Sequence, residues 1–555
     1  MPGFISEERL TYGPWAALER AMARLLKHWG FRDVTLVGGS GDRGADVVGS
    51  AQGVQWVVQA KYRFTGDVNA DGAKEALRAC GPYGATVALA AANSGFSQDA
   101  LQFAADSRRA GIDLRLWTGN HLLKAFDSLP SESKERRELR EYQAAAVEAV
   151  ESIRSSGSAR GLVIMATGLG KSIVAMQVVS NELDRNPNQE VLFLAHTTDL
   201  VKQLEFGSWS QLDKQISTHL WTDGELPKYS GGVVFATWQS VSAALRRGEN
   251  LEGRFGLVVV DEAHHAPSHS FSELLAHLDP NFLLGLTATP WRGDERSLSG
   301  LFGDPVFTMD IVEGMQRGYL AEVDYHMLTD GIDWDRVSQL SEQGRTVADL
   351  NRLLMLPDRD IAMVAHICER MHARANPRAL AFCRSIEHAE RLRPLFSAEG
   401  VRAAVMHSGL SREQRFVNLS QFRAGGIDLL ISVEMLNEGI DVPDVNLVAF
   451  MRVTHSRRIF LQQLGRGLRV LPGKSSVEVL DFVADIRRLA AGNALNVQAR
   501  ARSSDPEVIK FRDGEVVKFD TDGASRFFDR YLADVADVEN FEDGARLRFP
   551  DQGHI

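Results

Sequence analysis

Cysteine is scarce in this chain. Cys80, Cys368 and Cys383 are the only three in 555 residues, and their number and spacing suit neither a disulfide framework nor a metal knuckle. No apolar run reaches the roughly 18 residues that a membrane-spanning helix needs. The opening MPGFISEERL has Glu7 and Glu8 where a signal peptide carries basic and then apolar residues. These absences lead to the expectation of a protein of a reducing cytoplasm with no membrane partner. A basic surplus is missing too. The net charge is −11, but residues 501–555 hold thirteen acidic and eight basic side chains, so only −6 falls on the first 500. A local basic groove fits within so mild an imbalance, and composition leaves a nucleic-acid partner open.

A chain of this length exceeds one hydrophobic core, and three or four domains are expected. No repeat of short fixed period is present. Residues 1–127 mix helical and strand patterns. The polar segment SLPSESKERRELR, beginning at Ser128, reads as a linker over 128–139 that runs into a helix. Beyond it, the apolar runs GLVIMA, VLFLAH, VVFAT, GLVVVDEAH and FLLGLTAT alternate with amphipathic stretches, the pattern of buried parallel strands. RALAFC, VRAAVMHS, IDLLISV, VNLVAFM and VEVLDFV form a second such series. The fold expected is α/β: an N-terminal α/β domain, two tandem parallel-sheet domains at 140–318 and 319–490, and an acidic extension at 491–555 whose simplest role is packing.

MATGLGKS, residues 165–172, lies between the strand GLVIM and the helix SIVAMQVV. Backbone N–H groups of such a turn, here Thr167, Gly168 and Gly170, cradle phosphates. Lys171 would reach the β- and γ-phosphates of ATP, and Ser172 would ligate Mg²⁺. Met165 stands where the strict pattern has glycine. Asp261 and Glu262 follow an apolar strand in LVVVDEAHH. A carboxylate there holds Mg²⁺ through water, and its neighbour activates the attacking water. LTATP adds hydroxyls at another strand end. Arg466 and Arg469 in LQQLGRGLR share one helical face and suit arginine fingers on a γ-phosphate.

These elements, in this order, resemble the superfamily 2 helicases and translocases over about residues 139–485. Gln143 in LREYQ is similar to the family's adenine-sensing motif. FLAHTTDLVKQ and FATWQSV resemble its nucleic-acid contact motifs, which implicates His196, Thr237 and Gln239. AFCRS, MHSGLSREQR and EMLNEGIDVP look like its later motifs, with Gly439 and Asp441 where the family contacts nucleotide and nucleic acid. The box is DEAH, while GRGLR looks more like restriction-type translocases than RNA-processing helicases. The resemblance implies two RecA-like lobes closing on ATP, with nucleic acid crossing both.

In the N-terminal block, PWAALERAMARLLKHWGF puts Trp15, Leu18, Met22, Leu25, Leu26 and Trp29 on one helical face and Arg20, Arg24 and Lys27 opposite. Glu19 falls on the apolar side, where it requires a metal or a Lys, or else an edge position from which its oxygens reach water. GADVVGSAQGVQWVVQAKY reads as two strands around a turn. Gln59 and Lys61 point to the same side of the second strand. Should Asp46 end the first strand on that side, the three converge, and Glu19 can join them from the helix. Asp46 offers the hard oxygen that Mg²⁺ prefers, and Gln59 a neutral carbonyl. Lys61 can stabilise charge or orient a water, while Mg²⁺ polarises a phosphodiester and generates hydroxide.

With GGSGDRGADVV and VVQAKY on its flanks, residues 14–126 resemble the Mrr-type restriction endonucleases, a branch of the PD-(D/E)xK nucleases that commonly has Gln where others have Glu. The Asn-Ser-Gly-Phe turn in ALAAANSGFSQDALQFAADSRRAGIDLRLWTGNHL fits the same family. The resemblance implies an active site of Asp46, Gln59 and Lys61, which Glu19 could join from the helix. The expectation is an ATP-dependent DNA helicase or translocase fused to a Mg²⁺-dependent endonuclease, acting in restriction or anti-phage defence on duplex or single-stranded DNA, with room for a protein partner. The alternatives are a translocase whose front domain only binds DNA, and an RNA helicase. No methyltransferase motif or target-recognition domain is recognisable, so no sequence preference follows.

Overall fold

The computed structural model describes residues 3–37, 44–266, 269–288, 295–329, 357–383, 385–433, 445–451, 476–483 and 509–515, with a few single positions besides. The chain divides into two compact units. In the first, α1 (Glu7–Tyr12) and α2 (Trp15–Trp29) precede β1 (Arg32–Leu36), β2 (Val47–Ala51) and β3 (Val54–Lys61). Then come α3 (Ala70–Tyr83), β4 (Val87–Ala92), α4 (Gln98–Arg109), β5 (Asp113–Trp117) and α5 (Gly119–Ser128). The strands form one sheet in sequence order. β1, β2 and β3 pair antiparallel, and β3, β4 and β5 parallel. Gln52 and Gly53, with φ of 52° and 79°, supply the left-handed pair that a two-residue hairpin between β2 and β3 requires. Leu18, Met22, Leu25 and Leu26 of α2 pack on Val47, Val58 and Leu89 of the sheet, all buried. Truncating one such Leu to Ala would cost about 2–5 kcal/mol.

The polar face of α2 corrects the expectation. Trp15, assigned inward, is 63% exposed, whereas Arg24 at 1% and Lys27 at 9% are buried. The periodicity supposes one covering partner, and α2 has two: the sheet, and residues 205–225 of the next domain. Arg20 forks onto Glu225 at 2.5 and 2.9 Å and lies 3.3 Å from Glu205. Arg24 donates to the carbonyls of Ile216 and Asp213 at 2.8 and 2.9 Å, and Lys27 to that of Phe206 at 3.0 Å. Burial alone would lower the Arg20 pKa, but Glu205 and Glu225 overcome it and raise it above the ordinary value. Burial pushes Arg24 down to about 9 and Lys27 to about 8. Trp209 of the second domain, 1% exposed, joins the N-terminal core. The linker is tied down as well: Lys214 donates to the carbonyls of Phe126, Asp127 and Leu129 at 3.1, 3.2 and 2.6 Å.

The second domain starts with α6 (Glu141–Ser155), β6 (Arg160–Met165), α7 (Lys171–Arg185), β7 (Glu190–Ala195), α8 (Thr198–Ser208), β8 (Thr218–Trp221) and β9 (Gly232–Thr237). It continues with α9 (Trp238–Arg246), β10 (Phe255–Val260), α10 (His269–Leu278), β11 (Phe282–Thr287), α11 (Glu295–Phe302) and β12 (Pro305–Met309). The sheet order is β12-β6-β11-β10-β7-β9-β8. Every residue of β7, β9, β10 and β11 is buried, which explains their unbroken apolar runs.

The second unit contains α12 (Ile311–Gln316), β13 (Glu322–Thr329), β14 (Ala379–Phe382), β15 (Ala403–Met406), β16 (Leu429–Ser432), β17 (Leu447–Phe450), β18 (Ser476–Val483) and β19 (Ile509–Glu515). They form a parallel sheet ordered β15-β16-β14-β17-β18-β13-β19. Part of the acidic segment, as β19, thus pairs with β13. Among the described residues no helix is long and apolar enough to cross a membrane.

Candidate active sites

The β2–β3 register, Val47 opposite Val58, carries Asp46 to a place opposite Gln59. The Asp46 N–H donates to the Val58 carbonyl at 2.9 Å, so the residue is fixed by the ladder. Its Oδ2 accepts from Gln59 Nε2 and from the Ala60 N–H, each at 2.6 Å. Both side chains are buried, Asp46 at 3% and Gln59 at 5% exposure. Facing its amide nitrogen to Asp46 leaves Gln59 Oε1 buried with no hydrogen-bond partner. Such an orphan acceptor beside a carboxylate is what an oxygen-seeking cation would satisfy.

Lys61 emerges two residues on and forms an ion pair with Glu75 of α3. That helix approaches the site closely. A Cβ on Gly44, whose φ is +86°, would come within 2.8 Å of the Glu75 carbonyl oxygen. Sequence reasoning missed Glu75, because an acid on a helix ordinarily faces water. The available signal was the small-residue stripe Ala73, Ala76 and Ala79, fully buried, which lets α3 lie close. Glu19 is half-buried on α2, which packs across β1, β2 and β3.

At the nucleotide motif, the turn 166–170 joins β6 to α7. Gly168 and Gly170 have φ of +94° and +86°. A Cβ on Gly170 would sit 2.5 Å from Gln143 Nε2, so a larger residue there would push the glutamine amide from its place, on top of the strain of a φ of +86°. Gln143 is buried, and its Oε1 accepts from the Arg140 N–H at 3.0 Å. Lys171 and Ser172 open α7. Asp261 and Glu262 follow β10, both buried, and Glu262 has a left-handed φ of 49°. His264, which sequence reasoning passed over, lies 3.3 Å from Glu262 and 3.1 Å from Thr287 Oγ1 at the end of β11. The hydroxyl of Ser172 and the carboxylate of Asp261 are hard-oxygen donors of the kind Mg²⁺ takes.

His196 and Thr237 follow or end the neighbouring strands β7 and β9, paired at Ala195 and Thr237. Gln239 donates to the His196 carbonyl at 3.3 Å, and the Thr237 hydroxyl caps α9 by accepting from the Ser240 N–H. All three border the carboxyl ends of parallel strands, where α/β sheets bind ligands. Gly439, Asp441, Arg466 and Arg469 lie outside the described residues. Among the described residues there is no cluster of three or more His, Cys, Asp or Glu able to hold a metal. A cation at Asp46 would therefore draw on the Gln59 carbonyl, on water or substrate, and on at most one further His, Cys, Asp or Glu among the described residues.

Residues 13–126 match the family model for a restriction endonuclease of the Mrr type. Residues 136–292 match that of the type III restriction enzyme res subunit, and 362–470 the helicase conserved C-terminal domain. A putative ATP-dependent helicase, IRC3 of Saccharomyces cerevisiae, is 24% identical over 69% of this chain, which spans 58% of that protein. The EcoAI type I restriction endonuclease subunit of Escherichia coli is 26% identical over 59% of this chain and 44% of its own length. The ATP-dependent type ISP restriction-modification enzyme LlaBIII, solved bound to DNA, shares the fold over 96% of this chain and 42% of that one, with a TM-score of 0.56 at 17% identity. Taken in order along one polypeptide, these matches make the chain similar to superfamily 2 helicases of restriction systems, with a restriction endonuclease-type domain ahead of two helicase-type domains, and the chain spans only about half the length of the curated relatives it matches.

Proposed function

We propose that the protein is an ATP-driven DNA translocase or helicase joined to a Mg²⁺-dependent DNA endonuclease, serving restriction or anti-phage defence in the cytoplasm with a protein partner. The observation that carries the nuclease reading is the buried Asp46–Gln59 pair with its orphaned Gln59 Oε1. Asp46 and Gln59 would hold the metal, which when bound supplies Lewis acidity and an acidified water. Lys61, steadied by Glu75, orients that water or balances phosphate charge, and Glu19 adds a carboxylate from α2.

In the motor, Gln143 recognises adenine and the N–H groups of Thr167, Gly168 and Gly170 cradle phosphates. Lys171 neutralises the β- and γ-phosphates, Ser172 and Asp261 hold the nucleotide's Mg²⁺, and Glu262 orients the attacking water. Arg466 and Arg469 serve as fingers, Gly439 and Asp441 as further nucleotide and nucleic-acid contacts, and His196, Thr237 and Gln239 as strand contacts. The working parts are proposed as 1–127, 140–318 and 319–490, with a linker at 128–139 and an extension at 491–555. DNA rather than RNA is favoured because the front domain is of a DNA-nuclease type and the type ISP enzyme of like fold is seen on DNA.

The test is cleavage of supercoiled plasmid in Mg²⁺, with and without ATP, by wild type, Lys61→Ala and Lys171→Ala. Lys61→Ala is expected to stop cutting and keep ATPase, and Lys171→Ala to abolish ATPase and alter cutting. No cutting of methylated or unmethylated plasmid, with ATPase intact, would reduce the front domain to DNA binding. Stimulation of ATPase by RNA above DNA would overturn the substrate.

A further inference from the structure

Large aromatic side chains seldom stand in solvent, yet three do here. Tyr12, Trp15 and Phe64 are 59%, 63% and 82% exposed, and they are the only exposed aromatics among the described residues. Phe64 follows the strand end at Tyr62, and Tyr12 and Trp15 flank the α1–α2 turn, whose backbone meets the Tyr62 ring. Phe64 lies edge-on to Tyr62, centroids 5.1 Å apart. The Tyr62 hydroxyl donates to the Thr11 carbonyl at 2.6 Å, beside Tyr12. A Cβ on Gly13 would approach the Tyr62 ring to 3.1 Å, so the α1–α2 turn lies against that ring.

The platform is held stiffly. Asn93 Oδ1 accepts from the Arg63 N–H at 2.7 Å, while its amide donates to the carbonyls of Leu10 and Arg63 at 2.8 and 2.9 Å. Exposed cations stand among the rings: Arg63 between Tyr62 and Phe64, and Lys228, whose ammonium donates to the Tyr12 carbonyl. The strand that ends in Lys61 runs directly into this cluster.

Rigid exposed rings interleaved with cations are the means by which proteins hold single strands: bases stack on the rings and phosphates meet the charges. We propose that Tyr12, Trp15, Tyr62 and Phe64 form a stacking platform for unpaired bases of a DNA strand, next to Lys61. The site selects single-stranded or frayed DNA, the product of a motor that separates strands. The proposal rests on the nuclease reading for the strand's fate, but not for its binding.

The test uses the full chain carrying Lys61→Ala, so that binding is read without cutting. A 5-iodouracil oligonucleotide, single-stranded or annealed as blunt duplex, is photo-crosslinked and mapped by mass spectrometry. Crosslinks from the single strand at two or more of the four aromatics are expected. Trp15→Ala with Phe64→Ala should remove them and weaken single-strand binding, read by anisotropy, at least about tenfold, with duplex binding little changed. Crosslinks found only elsewhere would overturn the platform and leave the patch to a protein partner. Equal loss for duplex would overturn the choice of unpaired bases. Failure of the wild type to cut DNA would count against the nuclease reading alone.

Discussion

Two polar clusters lie buried in the first unit, and they differ in what answers their charges. Around α2, charges are answered from across the domain boundary: Glu205 and Glu225 meet Arg20, and backbone carbonyls meet Arg24 and Lys27. At the β2–β3 end, Asp46 and Gln59 meet each other, and Gln59 Oε1 is left with nothing. A buried unsatisfied acceptor costs about 1–3 kcal/mol. The α2 cluster carries orphans too, at Arg24 Nε and both ring nitrogens of His28, so an orphan alone marks no site; Gln59 Oε1 differs in being an acceptor that lies beside a buried carboxylate, where a cation would satisfy both. The difference separates cement from chemistry within a single helix-and-sheet layer.

Substitutions that break one cluster should spare the other's readout. The largest effect belongs to the chemistry. Asp46→Ala with Lys61→Ala is expected to lower plasmid cutting by 10² to 10³-fold or more, by about the scale of one lost transition-state contact or greater. DNA-stimulated ATPase should hold, while stability falls by about 1–3 kcal/mol because Gln59 Nε2 and the Ala60 N–H lose their buried acceptor, with at most about 1 kcal/mol more from the Lys61–Glu75 pair. Cutting that persists in the double variant would remove the site from catalysis. Next comes the cement. Arg20→Ala leaves Glu205 buried without its counter-ion, and a loss of about 3–5 kcal/mol is expected in denaturant unfolding. Arg20→Met combined with Glu205→Leu should recover part of it. A loss below about 1 kcal/mol for the single change would mean that apolar contacts such as Trp209 do the joining.

Acid should attack the same junction. Burial pushes both His28 on α2 and His219 on β8 down to about 3. Each is neutral when folded and, once unfolded, takes up a proton below about pH 6.5. The unfolded chain then binds more protons, so stability falls as pH drops from about 6.5 toward 3, and is fully present above that range. From pH 7 to pH 5 each histidine should remove about 2 kcal/mol. Chemical denaturation across that range would show the slope, and His219→Gln should flatten it by about half. An unchanged slope would place the acid sensitivity elsewhere.

How far the sequence revealed these clusters follows from the reach of the forces that make them. Asp46 against Gln59 was legible because a two-residue hairpin sets register and side-chain alternation does the rest. The buried strands were legible because both faces are covered. β8, with only Thr218 to Trp221, was too short and too polar to register. The α2 face was misjudged because its partner Glu225 is 205 residues away, and no local period announces a second covering surface. Glu75 was hidden for a related reason: how α3 lies over the sheet is decided by packing. Gly439, Asp441, Arg466 and Arg469 lie outside the described residues, and their roles rest on resemblance.

The finest probe of the contrast is Gln59→Glu. Wild-type Gln59 gives its amide hydrogen to Asp46 and keeps its carbonyl oxygen buried without a hydrogen-bond partner. A carboxylate in its place loses that donor and sets two negative groups side by side, so without metal one must take up a proton or repel its neighbour. With a divalent cation present, the same two groups become a stronger ligand pair. The thermal midpoint of Gln59→Glu in EDTA should therefore fall below wild type by the equivalent of about 1 kcal/mol. Mg²⁺ should recover most of that, with a larger shift than it gives wild type. Glu225→Gln at the docking cluster should lose a similar amount and recover none of it in Mg²⁺, because its partner is a guanidinium and not a cation from solution. Equal Mg²⁺ responses in the two variants would sink the claim that Gln59 faces a metal.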